Sequence, residues 1–195
     1  MALRDDVGQL FTIGFEGLTL PLEAASLLHD QRVGGAILFV RNLESVEQIC
    51  ALNTSIAAAS ADDGENTPPL ISVDQEGGRV QRLLAYATNV PSMRDVGTAC
   101  AAQGGQPDLA YRVGALLARE VGCLGFGMDF APVMDVDTNP ANPIIGERSF
   151  SRDPKVVSAL GAALLKGMQE AGVAACAKHF PGHGDTSLDS HLGQH

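Results

Sequence analysis

Apolar runs and amphipathic stretches alternate along this chain. The first run, Leu10 to Phe15, reads as a strand, and Leu22 to Gln31 reads as a short helix with Leu22, Ala25, Leu27 and Leu28 as its apolar positions. Val33 to Val40 is apolar at successive positions, which suits a strand covered on both faces of a parallel sheet. From Ser45 to Ala59, the residues Val46, Ile49, Leu52 and Ile56 recur three and four apart and so share one helical face. Residues 60–69 are polar and acidic and end in two prolines, the composition of a surface loop. Leu70 to Val73 forms the third strand and runs into a polar loop, Asp74 to Arg82. Residues 83–107 show no periodic pattern and read as irregular. Asp108 to Gly122 is a helix with Val113, Leu116, Leu117 and Val121 on one face, and Met128 to Val136 is the fourth strand. Asp153-Pro154 then supplies a side-chain cap and a first-turn proline for a helix through Val156, Leu160, Leu164 and Met168, with Gly172 as its stop. Val173 to Cys176 is the fifth strand.

Strand and helix in alternation mean an α/β fold with a parallel sheet, either an open doubly wound sheet or part of a (β/α)8 barrel. The 195 residues are most simply one domain. A net charge of −10 argues against nucleic acid as a partner and against anionic membranes, since both need a basic surface. No apolar run nears the ~20 residues of a membrane helix. The first residues lack a basic segment followed by an apolar one, so the expected location is cytoplasmic. Cys50, Cys100, Cys123 and Cys176 are scattered without a C-x-x-C pair and read as small buried apolar residues.

The chemistry gathers where strands end: Arg41-Asn42, Asp74 to Arg82, Asp135 to Arg148, and above all Lys178 to His191. Strand C-termini of a parallel sheet share one side, so residues more than a hundred positions apart can line one cleft. Four of the five histidines (His179, His183, His191, His195) lie in the last seventeen residues. Pro181, Gly182 and Gly184 forbid regular helix there, which removes the helical spacing argument for a metal between His179 and His183. Asp189-Ser190-His191 offers a carboxylate that can orient one imidazole nitrogen and leave the other to move a proton. Ser190 lacks the G-x-S-x-G context of a nucleophile elbow. Gly77-Gly78 belongs to neither a dinucleotide fingerprint nor a phosphate loop. Arg79, Arg82 and Arg148 present planar forks to oxygen atoms, whether of a ligand or of the many carboxylates.

Four runs resemble one family. Val73-Asp74-Gln75-Glu76-Gly77-Gly78-Arg79-Val80-Gln81-Arg82, Phe130-Ala131-Pro132-Val133-Met134-Asp135-Val136, Asn142 to Phe150, and Lys178-His179-Phe180-Pro181-Gly182-His183-Gly184-Asp185-Thr186 with Asp189-Ser190-His191 resemble the glycoside hydrolase family 3 N-terminal domain, in its bacterial β-N-acetylhexosaminidase branch. The resemblance implies a (β/α)8 barrel, of which this chain holds about the first five strand–helix units. It implies retaining hydrolysis of terminal N-acetylglucosamine from cell-wall (peptidoglycan) fragments, or muropeptides, during peptidoglycan recycling. His191 would be the general acid/base with Asp189 as its partner, an arrangement unlike the usual two carboxylates. Asp74, Arg82, Arg148, Lys178 and His179 would bind the sugar. No cofactor and no metal is implied.

The family's aspartate nucleophile follows a later strand, and residues 1–195 contain no match to its motif. The expectation is a single domain over residues 1–195 that is incomplete at its C-terminus, with doubtful activity alone and uncovered sheet edges open to self-association. Two other readings stay open: a non-catalytic sugar-binding fragment, and a metal-dependent hydrolase using the C-terminal histidines.

Overall fold

The computed structural model describes residues 3–60 and 68–187. Within them the chain runs α1 (Leu3–Gly8), β1 (Thr12–Ile13), α2 (Leu22–Asp30), β2 (Gly35–Ile37), α3 (Val46–Ala59), β3 (Leu70–Val73), β4 (Gln75–Gly77), β5 (Val80–Gln81), α4 (Met93–Ala102), α5 (Asp108–Cys123), β6 (Met128–Asp129), α6 (Pro154–Glu170) and β7 (Ala174–Ala175). Five strands form one parallel sheet in the order β1-β2-β3-β6-β7. Each strand is added beside the previous one, with no point at which the order reverses. A doubly wound sheet has such a reversal and a barrel does not, so the order is that of consecutive barrel units. Among the described residues the sheet is open, with β1 and β7 at its edges.

The central register matters for the site. Val73 of β3 lies opposite Asp129 of β6, and Asp129 lies opposite Ala175 of β7. Asp74, Asp129 and the segment leading to Lys178 therefore start from one level of the sheet. Below that level Ile49, Leu52 and Ile56 of α3, Leu117 and Val121 of α5, and Leu160, Leu164 and Met168 of α6 are buried with Ala36, Ile71 and Val73 in one core.

Local signals place the helices. Ser45 Oγ accepts the Gln48 N–H at 3.1 Å to cap α3, and Asp153 Oδ1 accepts the Lys155 N–H at 2.8 Å to cap α6. Past α6, Gly172 takes φ +94°, and the Gly172 and Val173 amides close on the Gln169 and Met168 carbonyls at 3.0 and 3.3 Å, the paired bonds of a Schellman stop.

The structure departs from the sequence reading in several places. The apolar run 128–136 yields only β6 and an isolated parallel bridge between Val133 and Lys178, because Pro132 has no N–H to give to a ladder. Asp74 to Arg82 is not a plain loop: β4 and β5 pair antiparallel through Gly77 (φ +100°) and Gly78 (φ +57°). A side chain on Gly77 would also meet the Pro91 carbonyl at 2.7 Å. The stretch read as irregular holds α4, and α1 precedes β1. In α2 the buried residues are Ala24 and Leu28, while Leu22 and Leu27 are exposed; Val46 and Leu116 are exposed too, and Val157 rather than the half-buried Val156 enters the core. Of the cysteines only Cys100 is buried; Cys123 ends α5 in an exposed position, Cys50 and Cys176 are half-buried, and all four are free thiols.

Candidate functional site

Three strand ends and one long loop meet around the Lys178 ammonium. Asp74 follows β3 directly, and Glu76 lies two residues on in β4. Lys178, three residues past β7, donates to Asp74 Oδ1 at 2.8 Å and lies 2.6 Å from Glu76 Oε1. Arg148 approaches from the other side and grips Glu76 as a fork, Nε to Oε2 and Nη2 to Oε1, both at 2.8 Å. Glu76 thus bridges two cations while its side chain is only 2% exposed. Burial alone would raise the Glu76 carboxyl, but the Arg148 bonds and the Lys178 charge outweigh it and hold the group below its ordinary 4.5. For Arg148, burial would weaken the charged form, and Glu76 more than restores it, so its pKa is raised.

A second pair stands beside the first. His179 Nδ1 is 2.6 Å from Asp135 Oδ2, and Asp135 Oδ1 accepts the His183 backbone N–H at 2.6 Å. Burial pushes the Asp135 carboxyl up, yet the His179 and His183 bonds pull it below its ordinary 3.8. Arg148 Nη2 lies 3.4 Å from His179 Nε2. A guanidinium can only donate, so in this contact Nε2 is the acceptor and Nδ1–H is the donor to Asp135 Oδ2. A cavity of about 220 Å³, lined by Met134, Asp135, Lys178, His179 and Pro181 among others, opens alongside. The Lys178–His179, Ala131–Pro132 and Phe180–Pro181 peptides are cis.

The loop that delivers Arg148 is tied down on both sides. Arg94 of α4 donates to Asp137 Oδ2 at 2.8 Å and to the Ser149 carbonyl at 3.2 Å, and Arg79 donates to the Ile144 carbonyl. Asn142 Nδ2 donates to the His183 carbonyl at 2.6 Å, joining this loop to the histidine loop. The Asp137 carboxyl would rise with burial, but Arg94 and Arg152 hold it below its ordinary value.

Of the residues chosen from sequence, Asp74, Arg148, Lys178 and His179 come together. Arg82 joins the cluster only through its backbone, whose N–H donates to the Asp74 carbonyl at 3.2 Å, and its buried Nε has no partner. Asp189 and His191 lie outside the described residues. Glu76, Asp135 and Asp129 were missed as single residues although each stands in a run that sequence had marked. Their signal was a carboxylate next to a strand end, and it did not rank one carboxylate above another. His179 and His183 meet edge to face with ring centroids 6.0 Å apart. Among the described residues, no three His, Cys, Asp or Glu side chains are arranged to hold a metal ion.

The profile of the glycosyl hydrolase family 3 N-terminal domain matches residues 2–195. The beta-hexosaminidase of Hydrogenovibrio crunogenus is 41% identical over 95% of this chain and 52% of its own length. Beta-hexosaminidase A of Pseudoalteromonas piscicida is 42% identical over 90% of this chain and 29% of its own length. This chain thus spans about half, or less, of the curated relatives it matches. Among solved structures, a glycoside hydrolase family 3 beta-N-acetylglucosaminidase from Paenibacillus sp. superposes with a TM-score of 0.90 at 43% identity, covering 98% of this chain and 35% of that one. NagZ from Neisseria gonorrhoeae, in complex with N-trifluoroacetyl-D-glucosamine, superposes with a TM-score of 0.82 at 38% identity, covering 93% of this chain and 52% of that one.

Proposed function

The chain belongs to the glycosyl hydrolase family 3 N-terminal domain family, and on that premise we propose that it binds and processes terminal N-acetylglucosamine as part of a β-N-acetylhexosaminidase-type retaining glycosidase. The observation that carries this reading is the Asp74–Lys178–Glu76–Arg148 cluster at the strand ends, beside the Asp135–His179 pair. It offers ammonium and guanidinium donors and a carboxylate acceptor close together, the complement of a sugar's vicinal hydroxyls. Asp74, Arg82, Arg148, Lys178 and His179 take the binding roles. His191, oriented by Asp189, protonates the glycosidic oxygen while a carboxylate attacks the anomeric carbon; it then takes a proton from the water that frees the sugar. The substrate class is an N-acetylglucosamine-bearing glycan, with cell-wall muropeptides as the proposed source.

Calorimetry with N-acetylglucosamine tests the binding part. Lys178→Met should weaken affinity roughly tenfold to a hundredfold, as loss of a charge-assisted hydrogen bond does. A folded chain with no affinity for the sugar would end the reading. In the complete protein, His191→Ala should slow substrates with poor leaving groups and spare activated ones; equal loss for both would reject the proton-donor role.

A further inference from the structure

Asp129 is fully buried in the sheet. Its Oδ1 accepts the Gln75 backbone N–H at 2.9 Å. That amide belongs to the residue between Asp74 and Glu76, the two carboxylates that close on Lys178. The bond crosses from β6 to the point where the chain leaves β3 for β4, beyond the Val73–Asp129 register pair. The same step is also held from the β5 side, where the Arg82 N–H donates to the Asp74 carbonyl at 3.2 Å and β5 pairs with β4, so the Asp129 bond is its tie to the parallel sheet. The other oxygen, Oδ2, is buried with no partner, and so is Gln75 Nε2.

We propose that Asp129 is a positioning residue of the sugar site, acting through the Gln75 amide to turn Asp74 and Glu76 together onto Lys178. It does so as an uncharged acceptor. Burial pushes its carboxyl up to about 8, against the pull of the Gln75 amide and Lys178 and with the repulsion of Asp74 and Glu76. A neutral group can sit under the ion pairs without competing with Asp74 and Glu76 for Lys178. Only the acceptor oxygen is needed, so an amide should serve in its place. The sugar part of this inference rests on the reading proposed above; the Lys178 part does not.

The test compares the parent protein with Asp129→Asn and Asp129→Ala. Lys178 is followed by acetic anhydride labelling and mass spectrometry, with Lys155 and Lys166 of α6 as internal controls, and N-acetylglucosamine affinity is measured by calorimetry. In Asp129→Ala, Lys178 should label at least about fivefold faster while the α6 lysines do not change, and sugar affinity should fall about tenfold. Asp129→Asn should match the parent in both. Unchanged Lys178 labelling in folded Asp129→Ala overturns the proposal, and so does Asp129→Asn behaving like Asp129→Ala. A parent protein that binds no sugar, with Lys178 labelling still responding to Asp129→Ala, overturns only the sugar-site reading. Should Asp129→Ala not fold, hydrogen exchange in the parent decides: Gln75 must exchange far more slowly than the exposed Arg79, and equal rates overturn the proposal.

Discussion

Glu76 sits between two cations, and removing it leaves both without their shared anion in a buried place. Breaking a buried pair in this way costs about 3–5 kcal/mol, so Glu76→Ala should lose that much in urea denaturation at neutral pH. The pH dependence follows from the lowered carboxyl. The unfolded chain takes up this proton first, so the stabilisation is complete above the ordinary 4.5 and drains away as pH falls below it. Glu76→Gln should flatten the acid side of the stability curve; an unchanged acid slope would contradict the assignment. Asp129 runs the other way. Its folded value of about 8 lies above its ordinary 3.8, so its contribution is complete below 3.8 and is lost as pH rises through 8. Across that window Asp129→Asn should lose less stability than the parent, measured by denaturation at a series of pH values. Sequence could mark Asp74, Glu76, Asp129 and Asp135 as carboxylates near strand ends. Which would be ionised was not legible, because that depends on burial and on cations up to 104 positions away.

At the scale of elements, α5 and α6 approach closely through glycine. A side chain on Gly114 would strike the Leu164 carbonyl, and one on Gly167 would strike the Tyr111 carbonyl. Gly114→Leu should force the helices apart and cost about 1–3 kcal/mol or more, seen as a lower melting temperature, whereas Gly172→Ala at the exposed helix stop should be milder. Most elements were legible because their periodicity is local: α3, α5, α6 and β3 stand close to where the pattern put them. The miss at α4 has a traceable cause. Met93, Val96, Gly97 and Cys100 are buried at helical spacing, and Ser92 Oγ accepts the Asp95 N–H at 3.1 Å as a cap. Gly97, a poor helix former, sits in the middle and weakens the signal. It is there because α4 lies against the Phe150 backbone, too close for a side chain. The short β4–β5 hairpin was missed for a related reason, since two-residue strands have too few positions to show a period of two.

At the scale of the whole molecule, a parallel sheet with consecutive strand order gathers the ends of β3, β6 and β7 on one side. If the gathered groups hold N-acetylglucosamine, the sugar must stabilise the folded chain. At a hundred times the dissociation constant the gain is about 2.7 kcal/mol, visible as a rise in melting temperature that Lys178→Met should cut to the equivalent of about 0.4–1.4 kcal/mol at the same sugar concentration. The sequence by itself determined the α/β class, the order of most elements and the runs in which the chemistry lies, because periodicity, caps and strand-end polarity are properties of neighbouring residues. It also carried the family resemblance, which the comparisons bear out. Periodicity left the doubly wound sheet and the barrel open and the resemblance chose the barrel, but only the tertiary structure decided that Glu76 bridges Lys178 and Arg148, that Asp135 holds His179, and that Asp129 stays buried. Those are distances between residues far apart in the chain, and a distance through space is set by how the sheet brings its strands together.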